Sequence, residues 1–512
     1  MTYRTIPDLL HDAASREGGR TWLRSDDRAV SFESAAAWVA QAAAALRDAG
    51  VARGDLVLLT ARNTPAYLVA LLAVCSSGAV AVPCNPASSA AELDGLLRQV
   101  APSLVVSDAA MGEALRAVRV VDVEALVGDV PAGGAPLHDM PFAVSHDDVA
   151  VLIPTSGTTG RSKLVAQTHR AYTMAGEGFP YWMELGRDDM LMTSLPLFHV
   201  NAPAYSVMGS LACGAGLALL PRFSATGFLD SARRHGATEF NAIGAMLEML
   251  MRQPERDDDA DTPLRLCYTG PAPATRQRHE EIERRFGLRI VGGYGMSESP
   301  YGLIWRHGTR PYGTMGSIRQ HPVMGVVNHA RVVDEQGRDV APGETGELLL
   351  RNPTLTPGYW GMPDETATAI VDGWLHTGDL VTADGEGAEA VYTFVARRKE
   401  VIRRRGENLS PLEVEEALAA HPRVLECAVV GVESELGEEE VKAFVVAVDA
   451  APLDVGELRD AAAARLTAFK VPRYWQQLDA LPRTPTGRVA KHQLPQGHPD
   501  GETDTAAKET TP

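Results

Sequence analysis

From Thr155 to Lys163 the chain reads Thr-Ser-Gly-Thr-Thr-Gly-Arg-Ser-Lys, a composition suited to a polyphosphate anion. Gly157 and Gly160 allow a tight turn and a close backbone approach with no Cβ in the way. Thr155, Ser156, Thr158 and Thr159 add hydroxyl donors, and Lys163 adds a cation. Exposed amides, hydroxyls and one lysine are the groups that cradle phosphates. The stretch is not a Walker A loop, which needs four residues between its glycines and a lysine directly after the second. Here two residues separate Gly157 from Gly160, and Lys163 comes three residues later. Read alone, such a stretch is a polar surface loop. The apolar run Val149-Ala-Val-Leu-Ile153 in front of it argues otherwise, because it predicts a buried strand. The loop then leaves a strand end, where α/β sheets bind their ligands.

The elements that must hold this loop are legible as pattern. Residues 1–150 alternate helical stretches such as Phe32 to Ala49 with short apolar strands such as Leu56-Val-Leu-Leu59, which predicts a parallel sheet covered by helices. Glu239 to Ile243 and Leu264 to Tyr268 read as further strands, with an amphipathic helix near Ala245 to Met251 between them. From about residue 312 the texture shifts to short β runs with Gly and Pro turns. Ala330 to Val333, the turn Asp334 to Gly337 and Gly346 to Leu350 suggest a small barrel or hairpin unit. The basic run Ala396 to Arg405 marks a second shift. After it the pattern predicts a compact α+β segment: a helix from about Pro411 to Ala420, strands at Ala428–Val432 and Lys442–Ala447, and a helix from about Val455 to Leu466. We expect a large domain over 1–397, a small one over 398–495, and a disordered tail over 496–512, rich in Gly, Pro, Thr, Asp and Lys.

Composition narrows the class. With 512 residues the chain is long enough for about three core-sized units, or for one large domain and a small one, and 45% hydrophobic and 22% charged residues fit an ordinary soluble globular protein. A net charge of −18 argues against broad binding to nucleic acid or anionic membranes. Cys75, Cys84, Cys213, Cys267 and Cys427 stand singly, with no CxxC spacing, as expected for buried thiols in a reducing compartment. The apolar stretch Ala66 to Val82 is broken by Ser76, Ser77 and Gly78 and closed by Pro83, so it reads as a buried helix leading into a core strand. The first residues show no basic region followed by an apolar one, so no secretory signal is expected. The expected location is the cytoplasm.

Five spaced motifs together resemble the adenylate-forming (AMP-binding) superfamily of acyl-CoA synthetases, luciferase-like enzymes and peptide-synthetase adenylation domains. They are Thr155–Lys163; Gly293-Tyr-Gly-Met-Ser-Glu-Ser299; Gly373-Trp-Leu-His-Thr-Gly-Asp379; Arg397-Arg-Lys-Glu-Val-Ile402 followed by Gly406-Glu-Asn-Leu-Ser-Pro411; and Leu481-Pro-Arg-Thr-Pro-Thr-Gly487. Singly each has an ordinary structural reading: Asp379 as a turn residue or cap, Ser297-Glu298 as a capping pair, the basic run as solvated surface. Their joint occurrence in the family's order is specific, and it covers essentially residues 5–495. The resemblance implies an α/β fold whose large N-terminal domain has stacked mixed sheets with helices plus a small β-barrel unit. It also implies a small mobile α+β C-terminal domain.

The resemblance also implies roles. ATP, Mg²⁺ and coenzyme A would be the cofactors and co-substrates, and a small-molecule acid the substrate. Glu298 would hold Mg²⁺, and Ser297, where the family has Thr, would donate to the α-phosphate. Tyr294, with Gly293, Gly295 and Met296 around it, and the loop at Gly270, Pro271 and Ala272 would border the adenine. Asp379 would accept the ribose hydroxyls, with Arg397 beside it, and Lys399 would mark the hinge. His199 would line the acid pocket, with Asn201, Ala245 and Tyr268 as further walls. Arg403 to Gly406 would meet the CoA phosphates in the second state. Arg488 stands where the family carries a lysine that touches the substrate carboxylate and the α-phosphate. Arginine keeps the charge but not the compact ammonium shape, and it removes a lysine-acetylation switch. Lys491, three residues on, is a weaker substitute. The phosphate loop departs too, with Ser162 and Leu164 where the family has Pro and Gly.

The leading expectation is an ATP-dependent, AMP-forming ligase that makes an acyl-adenylate and passes the acyl group to coenzyme A. A second reading keeps the activation but changes the outcome: a diazotase that activates nitrite for an aryl amine, or loading of a separate carrier protein. No carrier-protein segment follows the small domain, which argues against a peptide-synthetase module. A non-catalytic nucleotide binder, degenerate at Arg488, is the reading from another class. The expected assembly is a monomer or homodimer.

Overall fold

The computed structural model describes residues 3–108, 118–131, 144–155, 163–270, 275–306, 308–404, 407–433, 439–449, 451–484, 489–495 and 501–505. The chain forms two compact units. One contains Met1–Ala330, Leu350–His376 and Glu386–Val391; the other contains Arg331–Leu349, Thr377–Gly385 and Tyr392–Pro512.

Along the chain, the first unit lays down β1 (Thr21–Arg24), β2 (Ala29–Ser31), β3 (Leu56–Thr60), β4 (Val80–Pro83), β5 (Leu104–Ser107), β6 (Val120–Asp122), β7 (Val149–Thr155) and β8 (Lys163–Thr168). There follow β9 (Met190–Thr193), β10 (Gly216–Leu219), β11 (Glu239–Ala242), β12 (Leu266–Thr269), β13 (Arg289–Met296), β14 (Ser299–Ile304) and β15 (Ser317–Ile318). One sheet has the order β6-β5-β3-β4-β7-β8, parallel until its last pair, where β7 and β8 form an antiparallel hairpin. The other has the order β15-β14-β13-β12-β11-β9-β10-β1-β2, parallel from β13 to β1 and antiparallel at both ends. Strands buried on both faces read as continuous apolar runs, as Val80-Ala-Val-Pro83 does.

The helix Pro65–Ser76 is buried along its whole length. The Thr64 side chain caps it by accepting from the amide of Tyr67, and Pro65 supplies the preset φ of a first helical turn. It hands over to β4, so the apolar stretch Ala66 to Val82 is a core helix and a core strand. Among the described residues, no helix is long and apolar enough to cross a membrane. Phe32–Asp48 is helical as the pattern predicts, and so is Gly244–Met251. The five cysteines are all unpaired.

Further on come β16 (His329–Val333), β17 (Gly346–Arg351), β18 (Ile370–Val371), β19 (Trp374–Asp384) and β20 (Val391–Arg397). They make a small sheet of order β16-β17-β19-β18, with β20 on β19, in the region where short β runs were expected. The short hairpin β21 (Ile402–Arg404) and β22 (Glu407–Leu409) precedes a four-stranded sheet of β23 (Val424–Glu433), β24 (Glu439–Ala447), β25 (Tyr474–Gln477) and β26 (Thr503–Asp504), in that order. The helices Pro411–Ala419 and Val455–Ala463 cover it, burying Val414, Leu418, Leu458 and Ala462 with Val429, Val441 and Trp475.

Two expectations change here. The second helix ends at Ala463 rather than near Leu466. Residues 501–505, expected to be disordered, are folded instead: β26 pairs antiparallel with β25. Charge explains it. Lys442 is fully buried and forms an ion pair with Glu502, while Arg473 grips Asp504 through two bonds of 3.0 and 2.9 Å. A buried ammonium needs a carboxylate partner, and the tail supplies it. The remaining tail positions, 496–500 and 506–512, lie outside the described residues.

Candidate active site

The β7–β8 hairpin sets the two ends of the phosphate-loop stretch side by side, with Thr155 and Lys163 as cross-strand partners. The Thr155 hydroxyl donates to the Lys163 carbonyl at 3.2 Å, which pins the mouth of the loop. Ser156, Gly157, Thr158, Thr159, Gly160 and Ser162 lie outside the described residues.

Lys163 is not directed into open solvent. Its Nζ stands 4.4 Å from the centre of the Tyr359 ring. Such a cation–π contact stabilises by about 0.5–2 kcal/mol, more as water is excluded. The Tyr359 hydroxyl donates to Glu298 Oε1 at 3.0 Å. Burial, and next the neighbouring Glu298 carboxylate, push the Tyr359 phenol well above its usual range, so it keeps its proton and remains a donor.

The backbone fixes this arrangement. Tyr359 bridges Val165 of β8, the amide of Trp360 donates to the Leu164 carbonyl at 2.8 Å, and the Thr356 hydroxyl donates to the Ala166 carbonyl at 2.5 Å. From the same segment, the amide of Thr356 donates to the Glu298 carbonyl at 2.8 Å.

Glu298 sits in the tight turn of the β13–β14 hairpin, where Met296 and Ser299 are partners and Ser297-Glu298 forms the bend. The Gln167 side-chain amide donates to the Ser297 carbonyl, and Asn352 donates to the Ser299 hydroxyl at 3.0 Å. The turn is therefore held from β8 and from the segment after β17. Tyr294 is buried on β13, its hydroxyl 3.7 Å from Met296 Sδ. The glycines beside it answer to tyrosines. A Cβ on Gly293 would lie 2.6 Å from the Tyr268 ring, and one on Gly295 would lie 2.7 Å from the Tyr205 hydroxyl. No real Cβ approaches that closely, so both positions are restricted to glycine.

His199 and Asn201 are partly exposed, in the segment between β9 and the π-helical turn Ala202–Val207. Asn63 holds that segment: its Nδ2 donates to the Leu195 carbonyl at 2.8 Å, and its Oδ1 accepts from the Leu197 amide at 3.0 Å. The ring of His199 meets that of Phe198 edge-on at 4.5 Å. Asn201 accepts a 2.7 Å bond from Asn241. Ala245 is the second residue of the helix after β11 and is partly exposed. Gly270 follows β12, its carbonyl accepting from the Thr269 hydroxyl at 3.2 Å. Pro271 and Ala272 lie outside the described residues.

In the second unit, Asp379 is buried on β19, and Arg397, exposed at the end of β20, brings its Nε to 3.6 Å from Oδ1. The amide of Asp379 donates to the Thr377 hydroxyl at 3.1 Å, and the amide of Arg398 donates to the Gly378 carbonyl at 2.8 Å. Lys399 lies in the exposed turn that follows. Arg488 lies outside the described residues. Lys491, three residues on, is held by Glu415 at 2.8 Å and Glu400 at 3.4 Å. The basic stretch expected to meet CoA phosphates is divided: Arg404 is buried, ion-paired with Glu440 at 2.6 Å and bonded to the Phe469 and Val471 carbonyls, whereas Arg403 is exposed. Arg404 is thus structural and its β21 neighbour Arg403 faces outward; Arg405 and Gly406 lie outside the described residues.

Sequence reasoning missed Tyr359. It also missed Arg319, which is fully buried. Arg319 donates to the Leu303 carbonyl at 3.0 Å, the Pro300 carbonyl at 2.9 Å, the Tyr205 hydroxyl at 2.8 Å and the Tyr268 hydroxyl. Among the described residues no carboxylate pairs with it. The rings of Trp182, Tyr205 and Tyr268 surround the guanidinium, centred 4.6, 5.0 and 5.5 Å away.

The chain as a whole matches known proteins. Residues 10–360 match the AMP-binding enzyme family, and residues 413–488 match the AMP-binding enzyme C-terminal domain. The chain belongs to the AMP-binding enzyme family. A crotonobetaine/carnitine–CoA ligase from Salmonella agona (strain SL483) is 31% identical over 96% of this chain and 99% of its own length. A feruloyl-CoA synthase from an Amycolatopsis species is 33% identical over 94% of this chain and 95% of its own. Among solved structures, the o-succinylbenzoate coenzyme A synthetase of Bacillus subtilis in complex with ATP and magnesium superposes with a TM-score of 0.84 and 26% identity, covering 96% of this chain and 100% of that one. The AMP-binding enzyme described here is an ATP-dependent, AMP-forming ligase of the adenylate-forming, acyl-CoA synthetase type.

Proposed function

We propose that this enzyme joins a small carboxylic acid to coenzyme A in two steps. In the first, an oxygen of the acid carboxylate attacks the α-phosphorus of ATP, the bond to pyrophosphate breaks, and an acyl-adenylate remains. In the second, the coenzyme A thiolate attacks the acyl carbon, a thioester forms, and AMP leaves. The observation that carries this reading is the continuous line Lys163–Tyr359–Glu298, which joins the end of the phosphate-binding stretch to a fixed carboxylate.

In this reading the Thr155–Lys163 stretch cradles the phosphates and Ser297 donates to the α-phosphate. Tyr294 borders the adenine, Asp379 accepts the ribose hydroxyls with Arg397 beside it, and His199 lines the acid pocket. Arg488 bridges the acid carboxylate and the phosphate, because a fixed cation at developing charge is the main electrostatic need. A carboxylate oxygen held by a neutral donor fits Mg²⁺, a hard cation taken up by one or two carboxylates together with substrate phosphates. Glu298 would hold that ion, which supplies charge neutralisation at the phosphate oxygens. Tyr359 orients the carboxylate, as second partners of metal-binding groups do. The turn at Arg397–Lys399 is the pivot between steps, since a pivot needs only a few residues that absorb a dihedral change. Coenzyme A rather than a carrier protein is the acceptor we assign, and the CoA ligases among the relatives support it. We place the enzyme in the cytoplasm, as a monomer or homodimer; unpaired cysteines support a reducing compartment.

The test is pyrophosphate release from Mg·ATP against a panel of carboxylic acids and nitrite, with and without coenzyme A, and with an aryl amine in the nitrite arm. CoA-stimulated turnover with AMP and thioester as products is expected for one group of acids. Turnover with nitrite alone, indifferent to coenzyme A, would overturn the reading.

A further inference from the structure

The sheet face at the carboxyl ends of β11 and β12 carries more polar chemistry than an apolar acyl group needs. Asn241 and Tyr268 are partners across the parallel strands β11 and β12, so their side chains leave the same face of the sheet, side by side. Both lie near the carboxyl ends of their strands, the edge where open α/β sheets bind ligands. Asn241 is 1% exposed. Its Nδ2 donates to Asn201 Oδ1, and its own Oδ1 is buried with no hydrogen-bond partner. Asn201, two residues after His199, is partly exposed, so the amide pair runs from the buried sheet face to the segment assigned above to the acid pocket.

An orphaned buried amide oxygen costs about 1–3 kcal/mol. Exchanging the ends of the two amides, which share nearly one shape, moves the orphan from the oxygen to the nitrogen but does not remove it. A group that both donates and accepts satisfies either arrangement, and the simplest such group is a hydroxyl. Tyr205, over the same sheet face, donates to the Pro300 carbonyl and accepts from Arg319, and the Tyr268 hydroxyl accepts from Arg319 as well. The fully buried guanidinium locks both tyrosines and leaves the local field positive, which favours an electron-rich oxygen over a cationic substituent. The π-helical turn Ala202–Val207 packs over this face; such turns are rare and are frequent at functional sites.

We propose that the acid substrate carries a hydroxyl group, and that Asn241, positioned by Asn201, recognises it. This rests on the ligase reading above and names the substrate class within it. Asn241 is thereby the specificity-determining residue and Asn201 a positioning residue.

Matched acids differing by one hydroxyl test it: benzoic against the hydroxybenzoic acids, cinnamic against the hydroxycinnamic acids, and butanoic against 3- and 4-hydroxybutanoic acids. Pyrophosphate release and thioester formation are followed with Mg·ATP and coenzyme A. Within the best-turned-over pair, the wild-type enzyme is expected to prefer the hydroxylated acid by about 100-fold in kcat/KM, because buried groups built for a hydroxyl are left unpaired by the analogue without it. Asn241→Leu is expected to bring that ratio to within about threefold, and Asn201→Ala to lower it partway while KM moves more than kcat. Equal turnover of both members of every pair by the wild type, as when a bound water satisfies Asn241, overturns the proposal. So does an unchanged ratio in Asn241→Leu. The wild-type ratio decides the matter even if the variant does not fold. Silence with every acid in every arm would remove the ligase reading itself, and the inference with it.

Discussion

Glu298 and the Arg397–Lys399 turn are both assigned to the handling of one nucleotide, yet the fold treats them in opposite ways. Glu298 occupies a two-residue bend fastened on every side: Tyr359 on its carboxylate, Thr356 on its carbonyl, Gln167 and Asn352 on its neighbours. The turn after β20 is exposed, and Arg397 reaches Asp379 only at 3.6 Å. A carboxylate that meets a metal and a phosphate must already be in place, because positioning it during the reaction would add to the barrier. A pivot must not be in place. It needs freedom in a few dihedrals, which buried contacts would remove.

The largest effect is expected at the fixed carboxylate itself. Glu298→Gln keeps the shape and removes the charge, and pyrophosphate release is expected to fall by about 10³-fold with the folded state unchanged by circular dichroism. A residual rate within tenfold of wild type would mean that this bend does not hold the metal.

Next comes the stability of the frame around the bend. His169 directly follows β8, is buried, and accepts from the amide of Ile6 at 3.2 Å, which requires a neutral ring nitrogen. Burial lowers its pKa from 6.5 to about 4. Between those values the unfolded chain binds a proton that the folded chain refuses, so stability is whole above pH 6.5 and is lost as pH falls toward 4. The loss is about 3 kcal/mol for that one group. Urea unfolding measured at pH 7 and pH 4.5, on wild type and His169→Gln, checks it: the variant is expected to show the smaller drop.

Tyr359→Phe sharpens the comparison further, since it removes one hydroxyl from the fastening and leaves the ring beneath Lys163. Loss of an orienting partner behind a metal-binding group costs about 10- to 100-fold in activity or metal affinity. The expected signature is a raised Mg²⁺ requirement, read from the dependence of rate on free Mg²⁺. An unchanged requirement would make Tyr359 a packing residue only. The smallest effect belongs to the proposed pivot. Lys399→Pro fixes φ near −65° in an exposed turn with little to lose in packing. Adenylate formation in single turnover is expected to be unaffected, while thioester formation slows about tenfold. Equal slowing of both steps would place the freedom elsewhere.

The parts legible in the sequence are those written in local pattern. The run Val149 to Ile153 announces β7, and the interrupted apolar stretch from Ala66 announces a core helix and strand, because burial on both faces forces continuous apolar residues. Thr155 and Lys163 are visible in the composition of their own stretch, whereas Glu298 and Asp379 are visible only through the resemblance of their motifs to a known family. Tyr359 is not visible, because its partners are 61 residues away at Glu298 and across the sheet at Lys163, and its own neighbourhood, Thr356-Pro-Gly-Tyr-Trp360, reads as an ordinary turn. Arg319 is hidden in the same manner: a lone arginine reads as surface until Tyr205 and Tyr268, 114 and 51 residues away, fold around it. Arg403 and Arg404 are adjacent in sequence and opposite in fate, since alternate residues of β21 face opposite ways.

The pairing of Lys442 with Glu502 has a practical bearing on anyone who expresses this protein. Trimming the chain for crystallisation just after residue 495, where composition invites it, would strip a lysine at the centre of β24 of its carboxylate. Removing one partner of a buried pair costs about 3–5 kcal/mol, enough to turn a tidy truncation into inclusion bodies. An affinity tag or fusion partner therefore belongs after Thr505, behind the last strand and clear of the Arg473–Asp504 clasp.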